Sequence, residues 1–504
     1  MALFGVFFFL ASVTQADPDL WGHLRFGLDM LDGAGVARAD PYSYRSAGQA
    51  WINHEWLAEA CFALAWSWGG VAGLIAFKTA ICLATFALIA RELARSGASR
   101  PLGALLLLLA AAGLEGLMRQ VRPHVFTFLL FTATLIVIRR ADEGRARWLW
   151  TLPLLFALWV NLHGGVLAGV GMLGLWTAVR LAQAPGEASA VLPPALASAL
   201  ALLANPYGVE LPEFLLRTAT GPRPEILDWE PLPLMSLYGL VYAVMLAVLI
   251  AGWSLSTRPR SVPLLVLCAV AAVMPWLAVR HLPLFAIAAV ILSGEHVGSA
   301  WQGRRPAINV APGPAPSGAL FDLLIGAALL LAAADRNFRG IPVADDVVPA
   351  AAVDLIGASG VSGNLVTEFG WGEYVIWRLG PDVKVSIDGR RETAYSLEAY
   401  RQSLDFSTGA GDGRPVLQEH VDMALVEATA PDSRLLAGDP GWRMVFEDRR
   451  SRVFARRDSP ALAALDAARA SGPSDRQPCG GWLRRATDQC VILVERVRRV
   501  EEAR

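Results

Sequence analysis

The residues best suited to chemistry lie in short polar stretches between long apolar runs. Asp17 and Asp19 open the stretch ADPDLWGHL, with His23 four residues after Asp19; Asp40, His54 and Glu55 follow in DPYSY and WINHEWLAEA. A positioned carboxylate can take a proton from a hydroxyl group as general base. Asp19 is the first choice for that role and Asp17 the second. Farther along, MRQVRPH supplies Arg119 and Arg122, NLHGG supplies His163, and VRHLPLF supplies Arg280 and His281. The guanidinium fork of Arg matches phosphate oxygens in bidentate fashion. Together with His23, His54 and Glu55, these five make up the substrate-binding set. Their spacing matches no recognised metal motif, so no metal ligand is assigned and a divalent ion is left open.

Each of these residues also has a plainer reading. Asp17 and Asp19 suit the cap of a helix beginning near Leu20. Arg119, Arg122 and Arg280 suit snorkelling to lipid headgroups. His163 between glycines suits close helix packing, and Asp40 suits a turn.

The elements that must position these residues are set by the apolar runs. The chain has 504 residues, 54% of them hydrophobic and only 18% charged, with a formal net charge of -1. That composition points to the bilayer as solvent. Runs long enough to span, roughly 17 to 25 residues each, are approximated by 2–16, 71–92, 101–118, 123–140, 147–161, 163–181, 189–205, 234–254, 262–279, 281–295 and 318–335. This predicts about eleven spans, with 147–161 and 163–181 readable as one broken hairpin. Residues 1–16 also read as a signal peptide or a truncated start.

Arg and Lys in short loops mark the cytoplasmic side. Arg91, Arg95 and Arg100, then Arg139, Arg140, Arg145 and Arg147, then Arg180, Arg258 and Arg260, and Arg304 and Arg305 all count to one side. Five of the seven histidines count to the other. The expectation is a multi-pass protein of a bacterial inner (plasma) membrane, with its C-terminal part periplasmic. The Arg residues sit at helix ends rather than along one face, which gives no case for nucleic acid.

Composition shifts after residue 335. Residues 1–335 read as the transmembrane domain, with a large first outer loop at 17–70. Residues 336–458 read as an extracytoplasmic domain in which YVIWRL, VKVSID, VDMALVEA and RMVFED are strand-like runs. Residues 459–504 read as a charged tail, where an oxidising compartment permits a Cys479–Cys490 disulfide. The fold class is mostly α, a polytopic transmembrane helical bundle with a small α/β soluble C-terminal domain.

The stretch Asp17-Pro-Asp19-Leu-Trp-Gly-His23-Leu after a first span resembles the GT-C superfamily of membrane glycosyltransferases. DPYSY, NHEWLAEA, RPHVFTF, NLHGG, NPYG and FGWGEYVIWRLGPDVKVSIDGRRETAY resemble blocks of a less characterised bacterial branch with an outer WGxYxxW/DGR C-terminal domain. Trp371, Trp377, Asp388 and Arg390 belong to that outer segment and read either as acceptor contacts or as core and turn residues. The resemblance implies a GT-C-like fold. It also implies transfer of a sugar, with inversion, from a polyprenyl-phosphate carrier to an envelope glycan, lipid or protein acceptor on the outer face, among membrane lipids. No second acidic pair is evident. The alternatives are a non-enzymatic component that binds a lipid-linked glycan for export or assembly, and a transporter, for which Lys78 and Glu115 are the only candidates.

Overall fold

The computed structural model describes residues 1–219, 223, 226–303, 316–341, 343, 348–411 and 413–471. Cys479, Cys490 and the expected disulfide lie outside the described residues. The chain divides into two units, residues 1–14 with 75–339 and residues 15–74 with 340–504. The first outer loop expected at 17–70 is therefore part of the same unit as the C-terminal domain.

Seven helices among the described residues are long and apolar enough to cross a membrane, and the chain is a mostly helical membrane protein. The remaining four expected spans differ for local reasons. The helices α1 (Ala2–Ser12) and Val262–Leu277 are apolar but only 11 and 16 residues long. The 147–161 run breaks into a 3-10 turn at Ala146–Thr151 and an eight-residue helix at Leu152–Trp159, separate from Val166–Gln183. Pro316–Arg336 forms a 21-residue helix, of which the side chains of the first four residues are outside the description.

In chain order the elements that matter below are α1, α2 (Asp19–Asp29), α3 (Trp56–Arg95), α4 (Arg100–Met118) and α5 (His124–Asp142). Within the first unit, α1 lies against Pro316–Arg336 through glycines. A Cβ on Gly5 would stand 2.9 Å from the Gly326 carbonyl oxygen, so only the missing side chain permits that approach. The helix Leu282–Gln302 is buried along most of its length and packs on Leu237–Leu255, Val262–Leu277, α4 and α5.

Two arginines counted as cytoplasmic markers turn out to be buried. Arg139 reaches Glu92 at 2.9 Å and Glu295 at 3.2 Å, and Arg140 also pairs with Glu92. Lys78, fully buried, donates from Nζ to the carbonyls of Val13 (2.6 Å) and Met118 (3.1 Å). It thus serves the C-terminal ends of α1 and α4, where backbone carbonyls lack helical partners. Glu115 pairs with Arg119.

The second unit contains a five-stranded sheet of β1 (Gly363–Thr367), β2 (Val383–Val385), β3 (Met423–Glu427), β4 (Trp442–Glu447) and β5 (Ser451–Arg456) in the order β2-β1-β3-β5-β4. The β1 strand is parallel to both neighbours, with Leu365 opposite Val385 and Met423. The pairs β3–β5 and β4–β5 are antiparallel. Helices cover the sheet, and Val366, Ala424, Val426, Trp442 and Phe454 share one core with Phe406 and Leu436.

The first loop joins this sheet. Ser43 bridges Val385, Tyr44 N–H donates to Val385 O at 3.2 Å, and Val385 N–H donates to Tyr42 O at 3.2 Å.

Of the strand-like runs, VKVSID and VDMALVEA contain β2 and β3, and RMVFED covers β4 from its second residue. YVIWRL does not form a strand: Gly372–Leu379 is a helix. The apolar run at 374–377, all buried, is too short to separate a buried strand from a short buried helix. Within the stretch expected as the charged tail, residues 460–470 are helical. Ser459 caps a helix, Pro460–Ala470, that packs on β4 and β5.

Candidate functional site

The helix α2 begins at Asp19, preceded by Pro18, which offers no side-chain cap. Asp17 Oδ1 accepts the Asp19 N–H at 2.9 Å, so Asp17 closes the turn before the helix. Asp19 is left at its first position, where a negative charge suits the helix dipole. One turn on, His23 shares the face of Asp19, as residues four apart do.

His23 is held by a carboxylate on α3. Its Nδ1 lies 3.2 Å from Glu59 Oε1, and Glu59 Oε2 accepts from Asn53 Nδ2 at 2.6 Å. His23 and Glu59 are both buried. Burial alone would lower the His23 pKa. The hydrogen bond to Glu59 and the charges of Glu55, Glu59 and Asp19 outweigh it, and the net direction is upward. The imidazolium so favoured carries a second N–H, at Nε2. Beside this group His54 Nε2 stands 3.6 Å from Glu55 Oε1, and the Glu55 N–H donates to Asn53 Oδ1 at 3.2 Å.

The C-terminal part of the same unit reaches the start of α2. Glu373, buried, accepts the Gly22 N–H on Oε2 at 3.2 Å. Arg25 donates to Asp29 at 2.8 Å and to the Gly380 carbonyl at 3.1 Å. Trp21 meets Tyr374 and Trp377 at ring distances of 5.4 and 6.2 Å.

Asp388 and Arg390 are interior. Arg390 bonds Asp388 through Nε (2.8 Å) and Nη2 (2.6 Å), and Asp40 through Nη1 (2.6 Å). Its guanidinium lies over Trp51, Phe26, Tyr42 and Tyr395 at 4.7 to 5.8 Å. Burial opposes the Arg390 charge, but Asp388, Tyr395 and Asp40 hold it firmly protonated. Asp40 still closes its turn by accepting the Tyr42 N–H at 2.9 Å, so the turn reading and the ion pair coexist. Trp371 and Trp377 are buried as well.

In the first unit, exposed Arg119 pairs with Glu115, and Arg122 sits in the turn between α4 and α5. His163 Nδ1 accepts the Gly165 N–H at 3.0 Å and meets Thr127 Oγ1 at 2.8 Å, which leaves the proton of a neutral ring on Nε2. His281 Nδ1 meets Met274 O at 3.1 Å. Arg280 and Arg223 both stack on Trp229, at 4.8 and 4.1 Å from the ring centre.

Asp19, His23 and Glu55 thus come together in one unit, and Arg280 gains Arg223 and Trp229 in the other. Glu59, Asn53, Glu373 and Arg223 were not singled out from sequence. Glu59 alone carried a signal there, one helical turn after Glu55 in NHEWLAEA. Among the described residues, no group of three or more His, Cys, Asp or Glu is placed to hold a metal ion.

No protein-family model matches the sequence, and no curated protein matches it. Solved structures do resemble it. ArnT from Cupriavidus metallidurans in the apo state aligns at TM-score 0.54 with 14% identity, over 91% of this chain and 97% of that one. The same protein bound to undecaprenyl phosphate aligns at 0.52 with 13% identity, over 92% and 97%. The oligosaccharyltransferase AglB from Archaeoglobus fulgidus, in complex with an inhibitory peptide and a dolichol-phosphate, aligns at 0.53 with 12% identity, over 82% of this chain. The chain spans 66% of that oligosaccharyltransferase's length. Both proteins are GT-C superfamily membrane glycosyltransferases, and the fold of this chain is theirs.

Proposed function

We propose that the protein is a membrane glycosyltransferase that moves a sugar from a polyprenyl-phosphate carrier to a hydroxyl-bearing envelope acceptor at the outer face. The observation that carries this reading is Asp19 at the first position of α2, one turn before His23, on a chain with a GT-C fold. Solved neighbours of that fold hold undecaprenyl phosphate and dolichol-phosphate, and the same carrier class is proposed here.

In the reaction the acceptor oxygen attacks the anomeric carbon of the sugar and its proton passes to the Asp19 carboxylate. The bond from that carbon to the phosphate oxygen breaks on the opposite side, so the product is inverted. Polyprenyl phosphate leaves with the electron pair. Arg122, Arg119 and Arg280 are the residues proposed to stabilise charge gathering on the departing phosphate. His23 and Glu55 position the acceptor, with His54 and His163 as further contacts. A divalent ion is not required by this scheme.

The test compares wild type and Asp19→Asn in membranes supplied with radiolabelled polyprenyl-phosphate sugars and a cell-envelope extract. Release of label by the wild type and its loss in the variant supports Asp19 as base. Equal release from both overturns that role. No release while the labelled lipid still binds favours a binding component for export or assembly.

A further inference from the structure

Glu373 lies 351 residues from Gly22 in sequence, yet its carboxylate is in direct contact with the helix that carries Asp19. Two glycines make the approach possible. A Cβ on Gly22 would collide with the Glu373 carboxylate. A Cβ on Gly389 would stand 2.7 Å from Glu373 Oε1 and 2.9 Å from Asp19 Oδ1. The two carboxylate oxygens therefore lean on the same bare glycine, no farther apart than the sum of those two distances. Gly389 itself is fixed from both sides. Asp388 accepts the Arg390 N–H at 3.0 Å, and Arg390 is locked between Asp388 and Asp40. The Glu373 helix is fixed by Tyr374 and Trp377 against Trp21.

Gly22 is the fourth residue of α2, whose cap residue Pro18 offers no side-chain acceptor. Its N–H is engaged from outside the helix by Glu373 Oε2 at 3.2 Å. A buried carboxylate there also suits the positive end of the helix dipole.

We propose that Glu373 is a positioning residue for the transfer reaction: it anchors the first turn of α2 through the Gly22 N–H and, against Gly389, fixes where the Asp19 carboxylate stands. This rests on the reading of Asp19 as the base. The soluble C-terminal part is then a component of the reaction centre, and Gly389 is the spacer that lets both carboxylates approach.

The test uses full-length protein in membranes, with Glu373→Ala, Glu373→Gln and Gly389→Ala assayed for kcat and for KM of the carrier sugar, alongside hydrogen exchange of residues 19–29. The Ala variant is expected to lose roughly tenfold to hundredfold in kcat, the scale of a small misplacement of a reacting group, with KM little changed. It should also show faster exchange in α2. Glu373→Gln retains an amide oxygen for the Gly22 N–H and is expected to recover most of kcat. Gly389→Ala leaves that hydrogen bond's partners intact but fills the gap, and is expected to lose kcat with exchange near wild type. Wild-type kcat in Glu373→Ala, or a loss confined to KM, overturns the positioning role while leaving the transferase reading intact. If the wild type transfers no sugar at all, the transferase reading fails and the positioning role falls with it. The exchange measurement then reports only whether Glu373 anchors α2.

Discussion

Nδ1 of His23 lies 3.2 Å from Oε1 of Glu59, and the same carboxylate holds Asn53 through its other oxygen at 2.6 Å. The folded His23 pKa is raised above its ordinary 6.5. Its charged form therefore adds stability that is fully present below that value and is lost as pH rises through the folded one. Glu59→Gln removes the charge while retaining a hydrogen-bonding side chain. The expected result is a lower His23 pKa by NMR titration of labelled histidines, and a shallower decline in Tm above pH 6.5. An unmoved His23 titration would show that Glu55 and Asp19 suffice.

Arg390 neutralises two buried carboxylates at once. Breaking such a pair from one side leaves uncompensated charge and costs about 3–5 kcal/mol. Arg390→Met is expected to lower stability by that order in urea unfolding followed by Trp fluorescence. Arg390→Lys should recover little, because one ammonium cannot reproduce the fork. A loss below about 1 kcal/mol, the range of exposed pairs, would contradict the arrangement.

Lys78 serves carbonyls at the ends of two helices. Lys78→Met keeps the bulk and strands both acceptors, each worth roughly 1–3 kcal/mol when buried and unpaired. Thermal unfolding in detergent should show a clearly lower Tm. A wild-type Tm would mean that neighbouring donors take over.

Arg280 and Arg223 share the Trp229 ring. If Arg280 meets the carrier phosphate, Arg280→Ala should weaken carrier binding by about tenfold to a hundredfold, as loss of a charged hydrogen bond of roughly 1.5–3 kcal/mol implies. Trp229→Leu should weaken it less, by removing the stacking that orients the guanidinium. Binding of a fluorescent polyprenyl phosphate reads both. Equal affinity in all three proteins removes Arg280 from the site.

The helical bundle was legible because bilayer thickness imposes a length on apolar runs; where a run was short or broken, as at 147–161, no single α-helix of spanning length formed. The small C-terminal sheet was legible from VKVSID, VDMALVEA and RMVFED. YVIWRL was misread because its apolar run is too short for a period to separate strand from helix. In the candidate site, Asp19 and His23 could be paired from their spacing of four. The partnership of Gly22 with Glu373 could not, since no local pattern encodes a contact across 351 residues. Asp388 and Arg390 read more readily as core and turn residues than as acceptor contacts, and their burial with the Asp40 partnership at 2.6 Å places them inside.

The second unit is assembled from residues 15–74 and from residues 340 onward, and this has a consequence during synthesis. At about 5–20 residues per second, the intervening chain separates the two pieces by roughly 15 to 50 s. During that interval Asp40 has no Arg390, Ser43 has no strand to join, and the first turn of α2 has no Glu373. The segment with the proposed base is made before the residues from 340 onward that complete its unit, and until then has only its own contacts, such as His23 with Glu59. A chain halted before the final sheet is complete therefore lacks the anchor that Glu373 gives the start of α2.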